Sequence, residues 1–397
     1  MYRRDLDAVL LSYAQFPAIA LLGPRQSGKT TLAQNTFKNH VYVSFEHPDT
    51  RTQAETDPQK FLRIHENEYG IIIDEFQYVP HILSYIQLEV DAKKRPGYFI
   101  LTGSQNFLMN EAITQSLAGR VGILTLLPLS LHELEANQIL ENTAEEAIFS
   151  GGYPRIYAEQ FHPQKLYPSY IQSYVERDVR QLINVGDLRS FQRFMQLCAG
   201  HIGRQLNLSE LASVCGISVP TAQRWISVLE ASYIIFLLQP HFRNFNKRLT
   251  KSPKLYFYDT GLACSLLGIE SPKALASYPL YGSFFENFII ADFFKQYYNT
   301  GRRPPIYFWR DLNGRIEVDC IIEKAGDLFP IEIKSGETVA SDFFSGLAKW
   351  AELTESPDGA SRYVVYGGRG MQSRTPGTLV GWRESGNLVD VVRALNE

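Results

Sequence analysis

The sequence predicts an α/β protein whose first domain is built on a doubly wound parallel sheet, and three observations predict it. The chain has 397 residues, too many for one hydrophobic core, which indicates two or three domains. Short apolar runs recur near the N-terminus, as the buried strands of a parallel sheet do. The segments between these runs are long enough for crossover helices. The four runs are Ala18–Leu22, Val41–Phe45, Ile71–Ile73 and Tyr98–Leu101.

Changes in pattern divide the chain into four predicted regions. Residues 1–135 form the sheet domain, and residues 136–200 are mainly helical and are predicted to be a lid or linker. Residues 201–275 show a compact helical unit followed by strands, which is typical of a winged helix. Residues 276–397 show helix, strands, helix and a last strand, which predicts a second α/β domain. We find no internal repeat and no low-complexity linker, so these regions are predicted to pack closely.

Composition excludes several classes of protein. Hydrophobic residues make up 45% and charged residues 20%, and the formal net charge is -3, so any basic surface is local. No signal peptide is recognisable, and the apolar stretches are far shorter than the ~20 residues that span a membrane. The four cysteines form no CxxC pair, which argues against disulfides or a zinc site and predicts a cytoplasmic protein. They are Cys198, Cys215, Cys264 and Cys320.

A phosphate-binding loop is predicted directly after the first apolar run. Residues 23–30 fit G-x-x-x-x-G-K-[ST] at every fixed position, between a strand and a helix. The loop amides and the helix N-terminus form an anion site, Lys29 contacts the β- and γ-phosphates, and Thr30 binds Mg²⁺. The predicted nucleotide-binding residues are Gly23, Pro24, Arg25, Gln26, Ser27, Gly28, Lys29, Thr30 and Thr31.

Two acidic residues follow the third apolar run. Asp74 is predicted to hold Mg²⁺ from the C-terminal edge of the strand next to the loop, and Glu75 is predicted to orient the attacking water. A switch GTPase or a small-molecule kinase does not usually carry the second acid. The alternative is a solvated strand end.

Two further positions are candidates for the same site. After the fourth run, Ser104 or Gln105 is predicted to sense the γ-phosphate, with an ordinary strand-to-loop turn as the alternative. Arg120 is predicted to be an arginine finger that adds positive charge to the transition state. The alternative is an arginine favoured in the last turn of a helix by the macrodipole.

The third region has the form of a helix, a glycine turn and a second helix. Ser209 and Ser218 are predicted to cap the two helices. Two later segments, 233–238 and 254–258, are predicted to pair as a wing. The predicted core of the motif is Leu208, Leu211, Ala212, Ile217, Ala222, Ile226 and Leu229.

Local charge makes double-stranded DNA a candidate partner of this region, through residues 204–254. Between residues 201 and 258 lie seven positive and two negative side chains. Gln223 and Arg224 are predicted to be exposed on the second helix, where a recognition helix contacts the major groove. The alternative is a protein–protein or lid module. The positive residues are Arg204, Arg224, Arg243, Lys247, Arg248, Lys251 and Lys254.

A nuclease-like group of residues is predicted near the C-terminus. A turn at residues 324–327 separates two strands, and alternation places Glu332 and Lys334 on one face, where Asp319 of the partner strand joins them. Glu286, at the start of an upstream helix, is predicted to reach the same place. Two carboxylates and a lysine suit a Mg²⁺ site for phosphodiester hydrolysis. The alternative is an ion pair on a charged hairpin face.

These motifs together resemble the bacterial and archaeal AAA-type ATPases that have an AAA_14-like core and a C-terminal DUF4143 domain. The resemblance implies ATP and Mg²⁺ as ligands, an AAA core, a helical lid, a winged helix and a restriction-endonuclease-like fold. Asp319, Glu332 and Lys334 are similar to the PD-(D/E)xK signature, although Val318 replaces its proline. A nuclease-like fold need not cut. The motifs are residues 23–31, 74–77, 101–104, 116–120, 152–154, 174–179, 258–262 and 285–288.

The leading hypothesis is an ATP hydrolase whose cycle moves the winged-helix and nuclease-like regions. A second hypothesis adds an active DNA nuclease at Asp319, Glu332 and Lys334. A third is a nucleotide-gated switch that binds a protein partner and carries a degenerate nuclease-like domain. If Arg120 acts in trans, a homo-oligomer is required. No membrane partner is expected.

Overall fold

The protein divides into two compact units. The first comprises Met1–Leu129, Ser227–Ile234 and Tyr298–Arg302, and the remaining residues form the second. No helix in the described part of the chain combines the length and the apolar character needed to cross a membrane. The computed structural model describes residues 2–104, 113, 116–174, 188–241, 252–311, 316–354 and 362–394.

A five-stranded sheet lies at the centre of the first unit. Every strand pairs parallel to its neighbours, in the order β2-β3-β4-β1-β5. The four predicted strands all form, and the fifth, which the apolar runs did not include, pairs with β1. The strands are β1 (Ala18–Gly23), β2 (Val41–Ser44), β3 (Ile71–Asp74), β4 (Phe99–Ser104) and β5 (Val121–Thr125).

Both faces of this sheet are covered by apolar side chains, which confirms the doubly wound α/β prediction. Ala18, Ala20 and Leu22 of β1 belong to a core cluster that includes residues of α3, α4 and α5. Ile19 and Leu21 belong to a second cluster with residues of α1 and α2. Alternate residues of the strand therefore enter opposite layers. The helices are α1 (Leu6–Ser12), α2 (Lys29–Thr36), α3 (Pro48–Thr56), α4 (Pro58–Ile64) and α5 (Ile82–Lys93).

One detail of the sheet differs from the prediction. The strand that ends in Asp74 is not the direct neighbour of β1, because β4 lies between them. In the register of the sheet, Gly23 pairs with Ser104, and Asp74 pairs with Thr102. The C-terminal ends of three adjacent strands therefore meet at one edge, where the loop after β1 begins.

The predicted helix-turn-helix forms, with its first helix and the start of its second in the second unit, up to Ile226. Its first helix is capped by Asn207, whose side chain accepts from the Glu210 amide, so the predicted Ser209 cap is wrong by two residues. Ser218 caps the second helix, since its hydroxyl accepts from the Thr221 amide at 3.3 Å. The early helices are α6 (Leu131–Ala136), α7 (Ala144–Ser150), α8 (Pro154–Ala158), α9 (Pro163–Ser173), α10 (Leu188–Gly200), α11 (Leu208–Cys215) and α12 (Val219–Ala231). The later ones are α13 (Thr260–Leu266), α14 (Pro272–Ala276), α15 (Tyr281–Asn299), α16 (Ser345–Thr354) and α17 (Leu388–Ala394).

A mixed eight-stranded sheet runs through the second unit in the order β12-β13-β11-β10-β9-β8-β6-β7. The two strands predicted as a wing, β6 and β7, pair antiparallel, and β6 also pairs with β8. They therefore lie in one sheet with the strands beyond the predicted boundary at residue 275. The strands are β6 (Ile235–Pro240), β7 (Lys254–Phe257), β8 (Ile306–Arg310), β9 (Glu317–Lys324), β10 (Asp327–Lys334), β11 (Tyr363–Tyr366), β12 (Met371–Arg374) and β13 (Gly377–Gly381).

Two motifs of the resemblance are joined around one tyrosine. The carboxylate of Asp259 accepts from the Gly152 amide at 2.7 Å and caps α13. The Tyr167 hydroxyl donates to the Ser150 carbonyl at 2.8 Å. A Cβ on Gly261 would lie 2.5 Å from that hydroxyl, so no larger residue fits there without movement. These motifs therefore hold buried backbone in place.

Candidate functional site

The loop after β1 requires glycine at both ends. Gly23 has φ +151°, and a Cβ there would lie 2.1 Å from the Leu126 carbonyl oxygen. Gly28 precedes α2 with φ +95°, a left-handed conformation that side chains with a Cβ rarely adopt. The fixed glycines of the sequence pattern therefore have direct conformational reasons.

The interior of the loop is lined by polar groups. Lys29 is buried, and its Nζ donates to the carbonyls of Gly23 at 3.1 Å and Pro24 at 2.7 Å. The Ser27 hydroxyl is fully buried and has no hydrogen-bond partner among the described residues. A buried hydroxyl without a protein partner is costly unless a ligand or water satisfies it. Of the other predicted residues, Arg25 and Thr30 are half-buried, and Gln26 and Thr31 are exposed.

An arginine outside the motif fixes the loop. Arg4, just before α1, donates to the Ser27 carbonyl at 2.8 Å and to the Leu127 carbonyl at 2.7 Å. The buried Arg4 side chain therefore links the loop to the segment that follows β5. Arg4 was not among the predicted site residues, since nothing in its local pattern connects it to the loop.

Asp74 is the centre of a hydrogen-bond cluster beside the loop. Its Oδ1 accepts from the Thr30 hydroxyl at 2.8 Å and also from the Thr102 hydroxyl. Its Oδ2 accepts from the Tyr42 hydroxyl at 2.9 Å. Burial and the Asp74 carboxylate raise the pKa of Tyr42 to about 12, so the phenol remains a donor near neutral pH. A carboxylate beside a hydroxyl provides the oxygen ligands that Mg²⁺ prefers, so these residues fit the ion.

Glu75 is linked to Ser104 through Gln77. The Gln77 side-chain amide donates to a Glu75 carboxylate oxygen, and also to the Ser104 hydroxyl at 3.1 Å. Glu75 has φ +53°, and burial raises the pKa of its carboxyl although Lys29 and Arg25 oppose that shift. The structure thus brings Glu75 and Ser104 together with the loop. Gln105 lies outside the described residues.

Gln77 depends on a glycine in the neighbouring strand. A Cβ on Gly103 would lie 2.4 Å from the Gln77 amide oxygen. Sequence analysis quoted Gln77 within a family motif but gave it no role. Its position two residues after Glu75 was the available signal.

Arg120 lies at the N-terminal ends of the strands, opposite the edge that carries the loop. It immediately precedes β5, and its carbonyl accepts from the Ala18 amide at the start of β1. Since β1 and β5 are parallel, the length of β1, about 17–20 Å, separates Arg120 from the loop. Its guanidinium pairs with Asp91. Arg120 therefore does not reach a nucleotide on its own loop, and its predicted role requires a second copy of the chain.

The helix-turn-helix presents part of the predicted basic surface. Gln223 and Arg224 are exposed on α12, and Arg204 is exposed before α11. Lys254 was counted with this surface, but its side chain is only 4% exposed and is paired with carboxylates, so it does not contribute. The other predicted basic residues, Arg243, Lys247, Arg248 and Lys251, lie outside the described residues.

The C-terminal hairpin forms as predicted, and it carries the expected acidic side chains. β9 and β10 pair antiparallel across a turn in which Ala325 and Gly326 have positive φ. The Lys334 Nζ lies 2.6 Å from the Glu332 carboxylate. The Asp319 carboxylate accepts from the Ile333 amide at 2.9 Å. Glu332 is buried, so its carboxylate is largely removed from water.

Glu286 joins this hairpin together with Lys254. The Lys254 Nζ lies 3.1 Å from the Glu286 carboxylate and 2.5 Å from that of Glu317. The Tyr256 hydroxyl also donates to Glu286. In the described part of the chain, no group of three or more His, Cys, Asp or Glu side chains is placed to hold a metal ion. Two of the predicted carboxylates are therefore held in ion pairs, Glu286 with Lys254 and Glu332 with Lys334. Lys254 had been predicted to lie on the basic surface instead.

Burial and neighbouring charges shift the pKa values of this cluster. It raises the pKa of Glu286 to about 7 and that of Glu332 to about 8, and the nearby Asp319 adds to both shifts. Burial opposes the charge of Lys254, but Glu286, Asp319 and Glu317 outweigh it and raise the lysine pKa. Lys254 therefore carries its positive charge inside the cluster.

Three family descriptions match successive parts of the chain. "AAA domain" matches residues 15–135, and "Domain of unknown function (DUF4143)" matches residues 281–383. "Domain of unknown function (DUF8612)" matches residues 141–273, between the two.

Two solved structures illustrate the structural similarity that is detectable. The Walker-type ATPase PABY2304 of Pyrococcus abyssi is 16% identical with a TM-score of 0.45, covering 67% of this chain and 96% of that one. The RuvB Holliday junction branch migration motor of Thermotoga maritima is 18% identical with a TM-score of 0.29, covering 59% of this chain and 86% of that one.

Two mycobacterial proteins are more similar in sequence. They are uncharacterized protein Mb2031c of Mycobacterium bovis and uncharacterized protein Rv2008c of Mycobacterium tuberculosis. Each is 30% identical over 342 residues, which cover 85% of this chain and 74% of the relative. The chain therefore belongs to the same family as these two proteins, and it is an AAA-type P-loop ATPase with a C-terminal DUF4143 domain.

Proposed function

We propose that the protein hydrolyses ATP with Mg²⁺ at the C-terminal edge of its first sheet. The observation that carries the proposal is the 2.8 Å hydrogen bond between the Thr30 hydroxyl and the Asp74 carboxylate. It joins the glycine-lined loop to the acid that follows β3, the two elements that P-loop enzymes use to hold phosphate and magnesium. When bound, the ion neutralises charge that develops on the phosphate oxygens.

The loop provides the phosphate contacts. Its backbone amides and the N-terminus of α2 attract an anion. The Lys29 ammonium, which now contacts two loop carbonyls, would exchange them for the β- and γ-phosphates. The buried Ser27 hydroxyl is a further group that can bind the ligand.

Glu75 is proposed to orient and deprotonate the attacking water. A base whose pKa is raised toward the working pH accepts a proton more effectively, and burial raises the pKa of Glu75. Ser104 is the proposed γ-phosphate sensor. Gln77 contacts both side chains, so it is placed to hold Glu75 in position.

Asp74→Asn tests this assignment. The change keeps the shape of the side chain but removes the charge that attracts Mg²⁺, so we expect Mg²⁺-dependent ATP turnover to fall by about 100-fold. Phosphate release measured over a range of Mg²⁺ concentrations checks the expectation. Asp49→Asn, at an exposed position of the same unit, serves as the control and should behave as wild type. Unchanged turnover in Asp74→Asn would remove the metal role of this residue.

We also propose that hydrolysis moves the helix-turn-helix region. Tyr233, shortly after α12, shares a 3.2 Å hydrogen bond with the Thr125 hydroxyl at the end of β5. The next residue, Leu126, lies against the start of the loop, since a Cβ on Gly23 would be 2.1 Å from the Leu126 carbonyl oxygen. A shift of the loop on nucleotide binding would therefore move Thr125 and Leu126, and through the Tyr233 hydrogen bond it would shift the end of α12.

A second candidate function is contact with double-stranded DNA. It is favoured by the exposure of Gln223 and Arg224 on the second helix of the helix-turn-helix. The competing proposal is that a protein partner binds the same surface. A separate proposal is that several copies of the chain assemble, which would let Arg120 act in trans.

Arg224→Ala tests the DNA proposal. If Arg224 contacts a phosphate, its loss should weaken DNA binding about fivefold and reduce the salt slope by about 1. Binding of a DNA duplex to the full chain, followed over a salt series by fluorescence anisotropy, measures both. Arg63→Ala, an exposed arginine of α4, is the matched control. Equal binding by the Arg224 and Arg63 variants would count against the DNA proposal and leave the protein partner.

A further inference from the structure

Lys254 is an unusual lysine because its charged end lies inside the protein. Its side chain is 4% exposed, and its Nζ contacts the carboxylates of Glu286 and Glu317 at 3.1 and 2.5 Å. The Phe308 ring covers it, with its centroid 5.5 Å from the Nζ. A buried ammonium is stable only when carboxylates compensate it. The lysine and its acidic partners therefore depend on one another.

The backbone around Lys254 is held firmly. The Leu255 amide donates to the Arg204 carbonyl at 3.0 Å, and the Gly203 amide donates to the Leu255 carbonyl at 2.9 Å. The Leu206 amide donates to the Pro253 carbonyl at 2.8 Å. These bonds attach the start of β7 to the segment before α11, so the lysine is positioned by the fold.

The lysine contacts one of the predicted metal ligands. The predicted metal ligands of this domain are Glu286, Asp319 and Glu332, and the lysine shares the Glu286 carboxylate with the Tyr256 hydroxyl. An ammonium has only donors, and it repels a second cation at short distance. A divalent ion would have to displace it from the oxygens that it now contacts. The residues present therefore do not fit a metal ion while Lys254 is in place.

We infer that Lys254 is the resident cation of this carboxylate cluster, and that the C-terminal domain binds no divalent metal ion there. In this arrangement Lys254 compensates the charges of Glu286 and Glu317, and Lys334 compensates that of Glu332. Metal-dependent cleavage of phosphodiesters is then not an activity of this domain.

Manganese binding tests the inference in the full-length protein. All variants carry Asp74→Asn, so that the proposed magnesium site of the first unit does not contribute. Free Mn²⁺ is counted by electron paramagnetic resonance during a titration. As long as Lys254 is present, we expect proteins with and without Asp319→Asn to bind the same amount of Mn²⁺. Replacing the lysine, as Lys254→Met, should create one Mn²⁺ site, and adding Asp319→Asn should abolish that site again.

Two further variants complete the design. Lys254→Met combined with Glu317→Gln removes one charge of each sign, so it keeps the test usable if the single variant does not fold. Lys349→Met, at an exposed position of α16, controls for loss of a lysine and should gain no site. Mn²⁺ binding that requires Asp319 in the presence of Lys254 would overturn the inference. So would a folded variant without Lys254 that binds no Mn²⁺.

Discussion

Glu75→Gln is expected to lower the ATP turnover rate by about 1000-fold while leaving nucleotide affinity within about threefold of wild type. Glutamine keeps the size of the side chain and its contact with Gln77, but it does not accept a proton from water. The loss should be large, since bulk water does not provide an equivalent base. Turnover is measured as phosphate release under saturating MgATP, and affinity is measured separately by calorimetry.

The pH dependence of turnover provides a second readout of the same residue. Burial raises the pKa of Glu75, and the carboxyl must be deprotonated to act as a base. Wild-type turnover should therefore fall as the pH drops through the raised pKa of Glu75. This acidic limb should be absent from the residual activity of Glu75→Gln. Glu68→Gln, at an exposed position, is the control. A Glu75→Gln variant with full activity would show that another group activates the water.

Lys29→Ala is expected to reduce ATP affinity by about 100- to 1000-fold. Its ammonium is proposed to make two charge-assisted contacts with the phosphates, each contributing about 1.5–2 kcal/mol. Alanine is also a good helix former at the first position of α2, so the fold should persist. Isothermal titration of the purified chain with MgATP measures the loss, and circular dichroism reports the fold.

Lys38→Ala is the matched control for this variant. Lys38 lies in the same unit just after α2 and is exposed, so its removal should leave ATP affinity unchanged. The Lys29 and Glu75 variants are expected to differ, one failing to bind and the other failing to turn over. Wild-type affinity in Lys29→Ala would contradict the proposed phosphate contacts.

The parts of the fold that sequence analysis predicted are those with strong local signals. β1 is fully buried over all its residues, so its apolar run is continuous. β5 was missed because Gly122 interrupts it and Ile123 is 42% exposed, as suits an edge strand. Gly122 has its own reason, since a Cβ there would lie 2.5 Å from the Tyr13 ring. That constraint depends on packing between distant segments.

The site follows the same division. The loop could be predicted because its residues are consecutive and their spacing has a physical basis. Lys254 could not be assigned correctly, because its partner Glu286 is 32 residues away and only folding brings them together. Its neighbours in the sequence are basic, which favoured a surface role. Arg4 escaped notice for a similar reason, since its partner Leu127 is 123 residues distant.

A crystal structure of Glu75→Gln bound to MgATP tests the central claim most directly, because slow turnover should preserve the ligand. We expect the triphosphate to lie within the loop between Gly23 and Lys29, with the magnesium ion beside the Thr30 hydroxyl and the Asp74 carboxylate. Nucleotide bound elsewhere, or an Asp74 side chain turned away from the ion, would contradict the account.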